Sequence, residues 1–193
     1  MKLNKLYKLQ EELDKTILEN EVKRTGKEID KDLLLKQTIL ALQVEVAELA
    51  NATRCFKHWS TKGAESRERL LDEYADILHF YLSIGNQLSE LGHKARMLYI
   101  DFELFKEEHK DTKIYSLTWL LSTLLTYTSL LDIETLKAFN EFWKEDIKID
   151  RVYKLITILI LLLAKELEFT EEEIEQAYMK KHKENYRRQE EGY

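Results

Sequence analysis

Four acidic residues fall into two pairs, Glu45-x-x-Glu48 and Glu73-x-x-Asp76. Three residues make most of one helical turn, so each pair projects from one side of a helix. If the two helices lie side by side, four carboxylates meet in one place. Carboxylates that close repel one another, and a bound cation relieves the repulsion. Glu45 sits about 40 to 60° around the helix from Ala41, Leu42 and Leu49, which is inside the apolar stripe. Glu73 and Asp76 share a face with Phe80 and border Leu70, Ile77 and Ile84. Ionised carboxylates beside a core are unfavourable unless something compensates them. One such pair is ordinarily a solvated surface feature. Two pairs on adjacent predicted helices, both inside apolar stripes, favour a metal site.

Other groups could take part. Gln10 and Asp14 flank the apolar stripe of the first predicted helix. The segment 53–60 crowds Arg54, Phe56, Lys57, His58 and Trp59 together. It could stack a base and meet a phosphate, or plug a helix end. The acidic chain ends on Lys180, Lys181, His182, Lys183, Arg187 and Arg188. These cations suit either a solvated helix C-terminus or a phosphate clamp.

The elements that must position these residues read as helices throughout. The 193 residues contain no proline and only five glycines, with 34% charged and 44% hydrophobic residues. A β-rich chain would spend more of both on turns. The periodicity predicts helices over 2–24, 31–56, 64–91 and 151–167, and several shorter ones over 93–150. Met97 with Leu98 contributes to one of these, and 115–131 forms another. Asp30 is the expected N-cap of the second helix, Gly92 a C-terminal stop, and Thr170 with Glu173 a capping box. The expected architecture is one all-α domain over 1–193. In it a four-helix metal-binding core from about 2–91 and 151–188 carries a helical insertion at about 93–150.

The net charge of −6 argues against a nucleic-acid binder. The N-terminus lacks a signal-peptide core, and the longest apolar run, 155–164, is too short to span a bilayer. A lone Cys55 fits a reducing, cytoplasmic setting.

The double acidic motif, with the second pair starting 25 residues after Glu48, resembles the all-α nucleoside triphosphate pyrophosphatase superfamily. Further blocks favour its dimeric dUTPase branch, of the kind found in bacteria and their phages. They are Gln10 in LQEELD, residues 50–59 after the first acidic pair, His79-Phe80 after the second, and Lys181-x-x-x-Asn185-x-x-Arg188-Gln189-x-x-Gly192-Tyr193. Together they run from Gln10 to Tyr193.

The resemblance implies hydrolysis of dUTP and dUDP to dUMP with Mg²⁺. Glu45, Glu48, Glu73 and Asp76 would ligate magnesium, and Glu48 would orient and deprotonate the attacking water. Gln10 would select uracil, Trp59 would stack on or wall in the base, and Phe80 would pack against the deoxyribose. Asn185 would contact the nucleotide, and Lys181, Arg188 and Lys57 the phosphates. Asp14 departs from the Asn expected there. The resemblance further implies a homodimer and, for a phage-derived chain, a possible repressor protein as partner.

Three rivals stand beside this reading. One is the same chemistry on another base, as in MazG-type enzymes. One is a ferritin-like di-iron protein, since Asp76-x-x-His79 resembles half of that motif. The last is a non-enzymatic helical interaction protein.

Overall fold

The computed structural model describes residues 3–96, 99–110 and 116–192. Met97, Leu98, Tyr115 and Tyr193, used above, lie outside the described residues. The described residues form eight α-helices and no strand. In order they are α1 (Leu3–Thr25), α2 (Lys31–Thr53), α3 (Arg67–Glu90), α4 (Phe102–Glu108), α5 (Leu117–Thr128), α6 (Ile133–Trp143), α7 (Ile149–Glu166) and α8 (Glu171–Glu190). No described helix is long and apolar enough to cross a membrane.

Helix α3 is the centre. It packs against α1, α2 and α8, and α1 also touches α8. Helices α5 and α7 pack on each other, and α5 also covers α2. Residues Tyr74, Ile77, Leu78, Tyr81, Leu82, Ile84 and Leu88 of α3 are all at most 1% exposed. A helix covered on all sides must satisfy its polar groups internally, and α3 does so towards α7 through tyrosines. Tyr74 donates to the Ile160 carbonyl at 3.1 Å, and Tyr153 donates to the Tyr81 carbonyl at 2.8 Å. The Tyr81 and Thr157 hydroxyls lie 2.6 Å apart, and those of Tyr7 and Tyr153 2.9 Å apart. Gly85 makes this contact possible. A Cβ there would collide with the Tyr153 hydroxyl and the Tyr7 ring.

The helix ends follow local chemistry. Asp30 accepts from the amides of Asp32 and Leu33, and Thr170 and Glu173 form the expected capping box. Gly92 takes a positive φ of 89° after α3. Two boundaries differ from the sequence reading. Helix α2 ends at Thr53 rather than Phe56, because Arg54 adopts a left-handed φ of 58°. The Arg54 guanidinium holds that turn, donating to Ser60 Oγ at 2.6 Å and to the Lys62 carbonyl at 3.2 Å. Helix α3 begins at Arg67, two or three residues late, because the Ser66 hydroxyl caps the Arg69 amide.

Candidate functional site

Helices α1, α2, α3 and α8 frame a pocket of about 1020 Å³. That is the upper end of the range for ligand-sized pockets. Helix α2 contributes Glu45 and Glu48, α3 contributes Glu73, Asp76 and Phe80, and α1 contributes Gln10. Helix α8 brings Lys181, Asn185 and Arg188 across from the far end of the chain. Nine of the sequence-derived site residues therefore line one pocket. Lys57 and Trp59 do not line it. They lie in the loop after α2, where Trp59 is 68% exposed and packs edge-on against His58 at 4.9 Å. Lys57 sits over the Phe56 ring.

At one end the carboxylates converge. Glu45, Glu73 and Asp76 each place an oxygen within 4.8 Å of the others. Burial, reinforced by Asp76, Glu48 and Glu73, pushes the Glu45 carboxyl up to about 7. Burial also raises Glu73 and Asp76, the second against the opposing pull of Lys181. Glu48 stands at the rim, half-exposed, 3.8 Å from the Arg69 guanidinium. Two cations offset part of this charge. Lys181, buried, has its Nζ 2.8 Å from Asp76 and 3.1 Å from Asp72. Arg69 pairs with Glu73 one turn along α3. A cluster of carboxylate oxygens is the donor set that hard cations such as Mg²⁺ prefer, so these residues fit a divalent ion.

The other end is polar but not acidic throughout. Gln10, 4% exposed, is locked by three hydrogen bonds. Its Oε1 accepts from the Tyr178 hydroxyl at 3.0 Å and lies 2.7 Å from His79 Nδ1, while its Nε2 donates to Asp14 at 2.8 Å. Burial pushes His79 down to about 3, so its ring is neutral. That ring stacks on Tyr178 at 4.2 Å. His79 therefore positions Gln10, and this engagement removes it from the di-iron pattern considered above. Phe80 projects beside it into the pocket. Asn86 Oδ1 and Gln87 Oε1, on the same wall, are buried with no partner.

The sequence reading missed Arg69 and Asp72. The i,i+4 spacing of Arg69 and Glu73 was a visible signal. The reach of Lys181 to Asp72 was not, because it depends on how α8 crosses α3.

No curated protein matches the chain. A sequence model of the family described as dUTPase matches residues 2–193. The helices, the pocket and this match agree: the chain belongs to the all-α dUTPase family and is a dUTP diphosphatase.

Proposed function

We propose that this protein converts dUTP, and dUDP, to dUMP in a magnesium-dependent reaction in which water attacks the α-phosphorus. The observation that carries the reading is the polarity of this pocket. Carboxylates and the basic residues of α8 gather at one end, and a fixed amide waits at the other. Glu45, Glu73 and Asp76 would hold magnesium, with Glu48 at the rim. Magnesium, when bound, would neutralise phosphate charge and lower the pKa of a bound water. Lys181 and Arg188 bind and orient the phosphates, and Glu48 accepts the proton of the attacking water. Phe80 packs on the deoxyribose, where a 2′-hydroxyl would be crowded. Gln10, fixed by His79 and Tyr178, offers its amide N–H to the base. Asn185 contacts the nucleotide between them.

We further propose that the protein works as a cytoplasmic homodimer. Leu33, Leu40 and Val44 form an exposed apolar stripe along α2, 51%, 61% and 47% accessible. A stripe with this spacing suits a second helix. Trp59, exposed beside the end of α2, and the half-buried Lys57 near it would then act at the edge of that interface, and a repressor-type protein partner would compete for such apolar surface. Their contact with the base or phosphates stands as part of the same proposal.

The test is product release from dUTP, dUDP, dTTP, dCTP and UTP, with Mg²⁺ and with EDTA. Release from dUTP and dUDP that EDTA abolishes is expected. Undiminished release in EDTA would remove the metal from the mechanism, and equal release from dTTP or dCTP would move the chain towards the broader pyrophosphatases.

A further inference from the structure

One guanidinium at the acidic end of the pocket meets four carboxylates. Arg69 lies one turn before Glu73 on α3 and lines the pocket. Its Nε is 3.9 Å from Glu65 and its Nη1 is 3.5 Å from Asp72. Its Nη2 pairs with Glu73 and also lies 3.8 Å from Glu48 of α2. Asp72 in turn meets the buried Lys181 at 3.1 Å, which ties the guanidinium to α8 as well. All three nitrogens of a rigid, planar group are therefore engaged. The direction in which Nη2 faces α2 is fixed by the other contacts.

A pair between two exposed, mobile side chains contributes little, because both must be ordered before they meet. Arg69 and Glu48 are each about half-exposed. The arginine, however, is already ordered by Glu65, Asp72 and Glu73, so only Glu48 has to be held. Among the described residues Arg69 is the cation that pairs with Glu48.

Glu48 stands apart from the other three acids. Glu45, Glu73 and Asp76 bring oxygens within 4.8 Å of one another, and Glu48 is outside that group. Three residues along α2 turn it about 60° away from Glu45. Its side chain can rotate, and a hard cation gathers whatever carboxylates can reach it. A carboxylate drawn onto the ion spends its lone pair there and no longer accepts a proton from water. Arg69 pulls Glu48 the other way.

We propose that Arg69 is a positioning residue that keeps Glu48 a base: anchored on Glu73 and Asp72, its guanidinium holds the Glu48 carboxylate at the rim and out of the metal's ligand set. The inference rests on the dUTP site proposed above, in which Glu45, Glu73 and Asp76 hold magnesium. It gives the two cations of the site separate tasks. Lys181 takes Asp76 and Asp72 from the α8 side. Arg69 divides the acids of α2 into one that turns to the ion and one that turns to water.

The experiment compares the wild type, Arg69→Gln, Glu48→Gln and the double variant. Mn²⁺ binding is followed by electron paramagnetic resonance without nucleotide, and kcat and KM for dUTP are measured with saturating Mg²⁺. Arg69→Gln frees Glu48 to join the ion, so Mn²⁺ binds about tenfold more tightly. The kcat falls at least about tenfold, while KM stays within about threefold. Metal binding thus improves as turnover is lost, which a merely structural role would not produce. In the Glu48→Gln background Arg69→Gln no longer tightens Mn²⁺ binding. A gain that survives in that background reports only the removal of a positive charge near the ion and overturns the proposal. So does unchanged Mn²⁺ affinity in Arg69→Gln, or a kcat within about twofold of the wild type, with or without a raised KM. If the wild type neither binds Mn²⁺ nor turns over dUTP, the proposed function falls instead. If it does both and the variants fail these expectations, only the role of Arg69 falls.

Discussion

Helix α3 turns two polar faces to its neighbours, about 150° apart at 100° per residue. Towards α7 lie Tyr74, Tyr81 and Gly85, and each tyrosine hydroxyl there meets a carbonyl or hydroxyl within 3.1 Å. Towards the pocket lie Glu73, Asp76, Phe80 and Ser83, where carboxylates outnumber the cations that hold them. Burial raises groups on both faces. It lifts Tyr74 and Tyr81 far from any working pH, whereas it brings Glu45, across from the pocket face, to about 7. The same physical effect makes one face inert and the other responsive. Polar groups that satisfy one another stabilise the fold, and polar groups left in mutual repulsion await a ligand.

The largest expected effect separates the two faces. Glu45→Gln removes a proposed magnesium ligand and one of the mutually repelling charges. Turnover of dUTP should fall at least about a hundredfold. In EDTA, however, the melting temperature should hold or rise, because a site kept for function is a strain on the fold. A drop of several degrees in EDTA would show that the acidic cluster is structural and would erase the contrast. Glu48→Gln should lose turnover as severely, with the helical circular dichroism unchanged.

The opposite pattern is expected on the other face. Tyr153→Phe removes the hydroxyl that bonds the Tyr81 carbonyl and the Tyr7 hydroxyl. Two buried partners lose a bond, which lowers stability by about 1 to 3 kcal/mol. For a chain of this size that is a fall in melting temperature of roughly 2 to 4 °C per kcal/mol. The kcat for dUTP should stay within about twofold. A large loss of kcat with an unchanged melting temperature would mean that the tyrosine network steers the site after all.

Much of this contrast was legible in the sequence and part of it was not. The acidic pairs were legible because a helix converts i,i+3 spacing into one direction, and their apolar neighbours showed that the direction was inward. The cap at Asp30 and the box at Thr170 were legible because capping is local. The tyrosine network was not. A tyrosine in an apolar stripe reads simply as core, and only the packing of α7 on α3 reveals what its hydroxyl meets. Arg54 hid the end of α2, because a left-handed arginine is an exception that its own hydrogen bonds to Ser60 and Lys62 in the following loop must sustain. Lys57 and Trp59 belonged to a motif, yet their position depends on a loop, and that loop carries them outside the pocket of a single chain.

A third polar cluster gives the smallest effect and shows what solvent exposure does to the distinction. Arg67 at the start of α3 bonds Glu173 through two nitrogens and also reaches the carbonyls of Leu167 and Glu168. Glu173 closes the capping box on Thr170. Like the tyrosine face this cluster is satisfied, but it faces water. Thr170→Ala should therefore cost only about 1 kcal/mol. Its signature is the pH dependence. The Arg67 guanidinium and the Thr170 amide hold the Glu173 carboxyl down at about 2, below its ordinary 4.5. A depressed carboxyl stabilises the fold fully above its unfolded value and loses that contribution as pH falls from about 4.5 towards 2. The gap in melting temperature between the wild type and Glu173→Gln should thus be present at pH 7 and close on acidification through that window. Salt should narrow the gap at pH 7, since the Arg67 pair is exposed. A gap that persists at pH 2 would assign the contribution of Glu173 to packing rather than to its charge.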